Sequence, residues 1–82
     1  MKYAYYFVEG YVVRWRRPGN PEWLAPDGQW RDYSSEWDVI TNGRQLADEQ
    51  EALETAEMKF EQNRVWWDEQ YPQYRRRDAT SE

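Results

Sequence analysis

The segment formed by residues 49–71 constrains the fold most. It contains neither Gly nor Pro, and Pro72 follows it directly. Because Pro interrupts a helix and disfavours helical backbone in the residue before it, a helix is predicted to end there. Asp48 can cap the first turn, and Glu51 completes the D-x-x-E pattern of a capping box. The sequence therefore predicts one long helix over about 48–71.

Apolar residues recur along this segment at helical spacing. At about 100° per residue, one stripe is predicted to pack against the rest of the domain. Its members are Leu46, Leu53, Ala56, Phe60, Trp67 and Tyr71. A second stripe lies on the far side and consists of Met58, Val65 and Trp66. Since one helix on one sheet buries a single face, we expect this second stripe to be exposed and to offer an interface between two copies of the chain.

The first 41 residues have the composition of strands, because they are rich in Tyr, Phe, Val and Trp. Pro26-Asp27-Gly28 predicts a turn that joins residues 22–25 to residues 29–33. Residues 37–40 are predicted to form a further strand. Asn42-Gly43 is predicted to be a turn that leads into the helix.

Glu9-Gly10 interrupts the first strand-like run and allows two interpretations. It is either a bulge in one long strand or a two-residue hairpin turn. Aromatic and Val residues occupy odd-numbered positions on both sides of it and would share one face of a single strand, which favours the long bent strand. These residues are Tyr3, Tyr5, Phe7, Tyr11, Val13 and Trp15.

Together these elements predict an α+β domain. We expect an antiparallel sheet of three to four strands in residues 3–41, followed by one long helix packed on one face. The domain is predicted to span residues 1–72, and the polar residues 73–82 to form a flexible tail. The chain has 82 residues, of which 18% are aromatic, so it is predicted to be a single domain with a ring-rich core rather than a disordered chain.

The absence of some residue types excludes several chemistries. The chain has no Cys and no His, so it lacks thiol nucleophiles, thiolate metal ligands and the usual general base. Carboxylate pairs such as Asp27 with Asp32, or Glu57 with Glu61, arise by chance among 16 acidic residues. We therefore expect no enzyme activity, no metal and no cofactor. No apolar run is long enough to cross a membrane, and the N-terminus lacks an aliphatic signal core, so we expect a cytoplasmic protein.

The net charge of −5 comes almost wholly from one segment. Residues 45–70 carry eight acidic and two basic side chains, a net charge of −6. Four of these acidic residues fall within about 60° of one another on the predicted helix, and they are Glu54, Glu57, Glu61 and Asp68. Such a row can bind a basic surface, with Trp66 as an aromatic anchor. The alternative is a solvated face that keeps the protein in solution.

Two basic clusters lie outside the acidic segment. Arg14, Arg16 and Arg17 surround Trp15, and residues 75–77 are three Arg that follow Tyr74. Basic residues interleaved with aromatic rings suit single-stranded nucleic acid, because bases stack on the rings. The negative net charge argues against this interpretation, since nucleic-acid-binding domains carry a basic surface.

Three runs between residues 20 and 53 resemble small phage accessory proteins: W-L-A-P-D-G-Q-W at 23–30, W-D-V-I at 37–40 and D-E-Q-E-A-L at 48–53. Anti-CRISPR inhibitors and other small anti-defence proteins have similar size, acidity and architecture. The resemblance implies a phage or mobile-element context and assigns no residue a role.

The acidic row and this resemblance together predict a non-enzymatic inhibitor in the host bacterial cytoplasm. It is expected to bind a basic, nucleic-acid-binding surface of a host defence protein, for example a CRISPR effector. The first alternative is a homo-oligomeric structural or assembly protein of a phage, which would use the stripe of Met58, Val65 and Trp66. The second alternative is binding of single-stranded nucleic acid through the Arg and aromatic clusters.

Overall fold

The computed structural model describes residues 2–75. Within that range, the strands and helices follow in the order β1 (Ala4–Val8), β2 (Tyr11–Trp15), β3 (Glu22–Leu24), β4 (Trp30–Asp32), α1 (Glu36–Asn42), β5 (Arg44–Leu46), α2 (Glu49–Gln62), α3 (Arg64–Gln70) and a 3-10 helix (Pro72–Tyr74). The strands form one antiparallel sheet in the order β4-β3-β2-β1-β5. The predicted α+β class is therefore confirmed, with five strands instead of three to four.

Glu9-Gly10 is a two-residue hairpin turn between β1 and β2. Val8 pairs with Tyr11 across the turn. Both turn residues have positive φ, 51° at Glu9 and 93° at Gly10. This is the geometry of a type I′ turn, whose twist matches that of the flanking strands. The interpretation as one long bent strand is wrong.

The hairpin determines which side chains share a face of the sheet, because directly paired residues lie on the same face and successive residues alternate. One face, here called the Val8 face, carries Tyr6, Val8, Tyr11, Val13, Trp15, Trp23 and Arg31. The other, the Phe7 face, carries Tyr5, Phe7, Val12, Arg14, Leu24, Trp30 and Leu46. The odd-numbered residues before the turn therefore lie on the Phe7 face, and those after it lie on the Val8 face.

The turn predicted at Pro26-Asp27-Gly28 joins β3 to β4, as expected. The amide of Gly28 donates to the carbonyl of Ala25, at 2.9 Å. The Asp27 carboxylate accepts a hydrogen bond from the amide of Gln29, at 3.0 Å. An Asp side chain that binds the backbone two residues later is typical of such turns. This part of the sheet follows from local turn chemistry.

Residues 37–40 belong to α1 and not to a strand, so that prediction is wrong. The Ser35 hydroxyl caps the helix by accepting from the amide of Asp38, at 3.2 Å. Glu36 and Asp38 lie in the first turn, where their negative charges interact favourably with the positive end of the helix dipole. Gly43 follows the helix, where a Cβ would collide with the carbonyl of Val39. Asn42-Gly43 therefore leads into β5, and only then does the chain reach α2.

The long helix predicted over 48–71 is interrupted at Asn63. The capping box at its start is present, since the Asp48 carboxylate accepts from the amide of Glu51, at 2.9 Å. Asn63 leaves helical geometry with φ −121° and ψ 36°, and α3 begins at the next residue. The prediction of one uninterrupted helix is therefore wrong, although its start is correct.

Helices cover both faces of the sheet, not one as predicted. On the Phe7 face, the Lys59 ammonium of α2 lies 5.4 Å from the centre of the Phe7 ring. On the Val8 face, the α3 residue Trp67 contacts Tyr11, with ring centres 5.5 Å apart. The Val8 face also packs beside the end of α1, because Cγ2 of Val8 would lie 3.3 Å from a Cβ at Gly43. The chain between α2 and α3 thus passes around the end of the sheet.

An aromatic cluster fills the space between the Val8 face and α3. Trp23 contacts the rings of Trp67, Tyr71 and Tyr74, at centre distances of 6.3, 4.9 and 6.0 Å. Tyr74 also lies 3.8 Å below the Arg31 guanidinium. The predicted domain boundary at residue 72 falls inside this packed 3-10 helix. The rest of the predicted tail, from residue 76 onward, lies outside the described residues.

Within this cluster, the hydroxyls of Tyr11 and Tyr71 form a hydrogen bond of 2.7 Å. Burial and this bond raise the pKa of Tyr11 above its ordinary value. Burial likewise raises the pKa of Tyr33. A raised pKa in the folded state means that the unfolded chain loses its phenolic protons first as the pH rises. The free energy of unfolding is therefore expected to fall once the pH exceeds about 10.

A comparison of wild type with Tyr11→Phe by urea unfolding between pH 7 and pH 11 checks this expectation. At pH 7 the variant is expected to be less stable by about 1 kcal/mol, because it loses the bond to Tyr71. Above pH 10 its stability should fall less steeply than that of wild type. Parallel pH profiles for the two proteins would contradict the assignment to Tyr11.

Candidate functional site

The predicted acidic row is partly preserved on α2. Glu54, Glu57 and Glu61 are all exposed, and their spacing keeps them on one side of this helix. Glu54 and Glu61 lie opposite the buried residues Ala52 and Ala56, whereas Glu57 lies nearer to Phe60. The capping box and the packing of α2 on the sheet fix its backbone. The three carboxylates are therefore held on a rigid support.

Met58 lies within this acidic face of α2. It is 48% exposed and follows Glu54 by four residues and precedes Glu61 by three. Positions three and four residues apart are neighbours on a helix surface. The acidic face, defined here as Glu54, Glu57, Met58 and Glu61, therefore combines carboxylates with one flexible apolar side chain.

Asp68, the fourth member of the predicted row, lies on α3, beyond the interruption at Asn63. Its carboxylate is 3.9 Å from Nε of Arg75 and is 31% exposed. Asp68 therefore does not continue the row along a single helix, because α2 and α3 are separate. Instead it lies at an open groove that α2 shares with the β3–β4 turn.

This groove has a volume of about 1130 Å³. Its floor is apolar and includes Leu24, Trp30, Ala56 and Phe60. Asp27, Glu57 and Asp68 add carboxylates to its walls, and Arg64 and Arg75 add cations. Asp27 already binds Arg31, at 2.6 Å. The groove is thus mixed in charge, and the excess of negative charge lies on the outer side of α2.

The second predicted surface stripe is exposed as expected, but its members lie on two helices. Met58 is on α2, whereas Val65 and Trp66 are on α3 and are 70% and 44% exposed. The Trp66 ring packs edge-on against Trp67, with ring centres 4.9 Å apart. This contact fixes Trp66 while leaving almost half of its surface accessible.

The structure adds two exposed apolar residues that the sequence analysis placed in a strand. Trp37 and Ile40 on α1 are 71% and 58% exposed. They are three residues apart and therefore neighbours on the helix surface. Ser35 and Asp38 form an S-x-x-D pattern, which is the sequence signal that could have identified this helix.

The basic residues on β2 and just after it contact aromatic rings of the domain. The Arg14 guanidinium lies over Tyr3 and Trp30, at 4.2 and 4.5 Å, and its Nε binds Glu22 at 2.8 Å. Arg17 lies over Trp15, at 4.3 Å. These arginines stabilise the aromatic surface of the sheet. In the second basic cluster, residues 75–77, Arg75 pairs with Asp68. The other two arginines of that cluster lie outside the described residues.

Across residues 2–75, no group of three or more acidic residues is arranged to hold a metal ion. Over the same range, no helix has the length and apolar character that a membrane span requires.

No protein-family model, curated protein or solved structure matches this chain.

Proposed function

We propose that this protein is a non-enzymatic inhibitor of the phage or mobile-element type that acts in the bacterial cytoplasm. It binds a basic surface of a host nucleic-acid-binding protein and blocks that surface by occlusion. A defence complex such as a CRISPR effector is the proposed class of target. The observation that carries the proposal is the acidic face of α2, where three exposed carboxylates lie beside Met58 on a fixed backbone.

The physical basis is charge complementarity on a preorganised support. A nucleic-acid-binding surface concentrates Lys and Arg, which attract carboxylates over long range and speed the encounter. Because α2 is already folded and packed, its backbone needs no ordering when the carboxylates bind, which reduces the entropic cost of association. Met58 adds apolar contact area to this face. Trp66 on α3, held by its contact with Trp67, is an exposed aromatic side chain of the kind that anchors interfaces.

The test is the capture of tagged protein complexes from a bacterial lysate at low and moderate salt. The double variant Glu54→Lys/Glu61→Lys is expected to weaken capture of the specific partner by about 100-fold or more. The captured partner should bind nucleic acid on its own and release it when the wild-type protein is added. A partner that is captured equally well by the double variant would contradict the acidic-face mechanism.

A matched control separates position from total charge. Asp32→Lys/Glu69→Lys changes the net charge by the same amount at exposed residues outside α2. This control is expected to reduce capture much less than the α2 variant. Equal losses in the two variants would show that net charge alone attracts the partner.

The exposed stripe supports a second candidate function, self-association as a structural or assembly protein. Met58, Val65 and Trp66 leave apolar surface uncovered on α2 and α3. Sedimentation of wild type and Trp66→Ala over a range of concentrations tests this candidate. A dimer that dissociates in the variant would support it, whereas a wild-type monomer at every concentration would remove it.

A further inference from the structure

The strongest feature outside the proposed site is the exposed apolar pair on α1. Trp37 is the large apolar residue with the greatest exposed fraction among the described residues, at 71%, and Ile40 is its neighbour one turn along. Side chains of this size on adjacent turns form an apolar patch, and Trp is the residue most often found as an interface anchor. Packing of the domain does not account for the patch, because Val39 alone is buried from this helix.

Acidic residues of α1 flank this patch. Glu36 and Asp38 lie on α1 itself. Glu9 of the β1–β2 hairpin lies at the C-terminal end of α1, where the Asn42 amide donates to its carboxylate at 3.4 Å. Residues 33–43 contain no Lys or Arg.

The charges around the patch discriminate between possible occupants. In a two-fold contact between copies, the same patch would face itself. Such a contact would place Glu36 and Asp38 close to the same residues of the other copy, with no cation of α1 to balance them. Like charges brought together at an interface oppose binding. The patch therefore suits a partner whose apolar residues are flanked by Lys or Arg.

We propose that α1 is a second binding surface, which takes a basic amphipathic segment of a protein partner. Apolar residues of that segment cover Trp37 and Ile40, and its Lys or Arg residues meet Glu36 and Asp38. This surface lies beside the Val8 face, whereas α2 covers the Phe7 face. The inference goes beyond the proposed function, because it needs no contact with the acidic face of α2.

The test uses two synthetic peptides and the ¹⁵N-labelled protein in solution. Both peptides have the same length and the same amphipathic pattern of Leu, with Lys at the polar positions of one and Glu at those of the other. The indole resonance of Trp37 is assigned by its disappearance in Trp37→Phe. The Lys peptide is expected to shift this resonance and the Ile40 amide saturably, and the Glu peptide is expected to leave both unchanged.

Variants of exposed residues complete the test. Trp37→Ala is expected to weaken binding of the Lys peptide about tenfold or more, and Ile40→Ala serves as the second variant should Trp37→Ala fail to fold. Val65→Ala removes an equally exposed apolar side chain from α3 and is expected to leave binding unchanged. Glu36→Lys should weaken binding, whereas Glu69→Lys should not.

Three results would overturn the inference. The first is binding of the Lys peptide to Trp37→Ala or Ile40→Ala with wild-type affinity. The second is equal binding of both peptides, which would show that charge does not select the occupant. The third is a concentration-dependent shift of the Trp37 indole without peptide, which would make a second copy the occupant. The variant Glu54→Lys/Glu61→Lys is expected to retain the Trp37 response, so failure here is distinguishable from failure of the α2 mechanism.

Discussion

Trp67→Ala is expected to destabilise the domain by about 3–5 kcal/mol, the range for truncation of a buried aromatic residue. Only 4% of Trp67 is exposed. Its ring contacts Tyr11 and Trp23 of the sheet, Phe60 of α2 and Tyr71 after α3. Truncation would leave a cavity where α2, α3 and the Val8 face meet. Since small domains have a total stability of about 5–15 kcal/mol, the variant is expected to be close to unfolding at 25 °C.

Thermal and urea unfolding followed by circular dichroism measure this effect. Trp37→Ala is the matched control, because it removes the same side chain from a position that is 71% exposed. We expect this control to change the stability by no more than about 0.5 kcal/mol. Equal losses in the two variants would contradict the placement of Trp67 at the centre of the core.

Local signals were sufficient to predict several parts of the fold. The capping box at Asp48 and Glu51 correctly predicted the start of α2, because both residues act within one turn of chain. The Pro26-Asp27-Gly28 turn predicted the β3–β4 hairpin for the same reason. On the candidate site, the helical spacing of Glu54, Glu57 and Glu61 predicted that they share one exposed side. Each of these features depends on residues that are close in sequence.

Two errors arose where local patterns allow two structures. The alternation of aromatic and Val residues along the run could not distinguish a bent strand from a hairpin at Glu9-Gly10, because aromatic residues occur on both faces of this sheet. The run at residues 37–40 contains Trp, Val and Ile, which favour strands, but Ser35 and Asp38 cap it as a helix. Strand propensity depends strongly on context, and here the cap and the burial of Val39 determine the outcome. The exposed pair of Trp37 and Ile40 was missed as a result.

The local signal for the interruption at Asn63 is weak, because it consists of a single Asn, a residue that is common at helix ends. Residues 49–71 lack Gly and Pro, and a straight helix would be permitted by the sequence alone. Tertiary packing explains the change of direction, because α2 lies on the Phe7 face while Trp67 is buried against the Val8 face. A straight helix on one face could not make both contacts. The same change of direction places Asp68 at the groove and separates it from the acidic face of α2.

Phe60→Ala is the second change that we expect to have a large effect on stability. Phe60 is 8% exposed and lies one turn before the interruption at Asn63. Its ring meets Trp67 edge-on, with ring centres 5.0 Å apart. It therefore joins α2 to α3 beneath the groove. Truncation is expected to cost about 3–5 kcal/mol, because it removes buried apolar area and leaves a cavity between the two helices.

Urea unfolding measures the free energy of unfolding of Phe60→Ala, Trp67→Phe and the double variant. The comparison shows whether the loss of stability arises from the contact between the two rings. If the two rings stabilise each other directly, the cost of the double variant should differ from the sum of the single costs by about 0.5–1.5 kcal/mol. Leu53→Ala is the control on the same helix, because Leu53 also lines the groove but is 44% exposed. We expect this control to cost about 1 kcal/mol. If Leu53→Ala lost as much stability as Phe60→Ala, the side chains that line the groove would hold α2 in place, rather than the contact between Phe60 and α3.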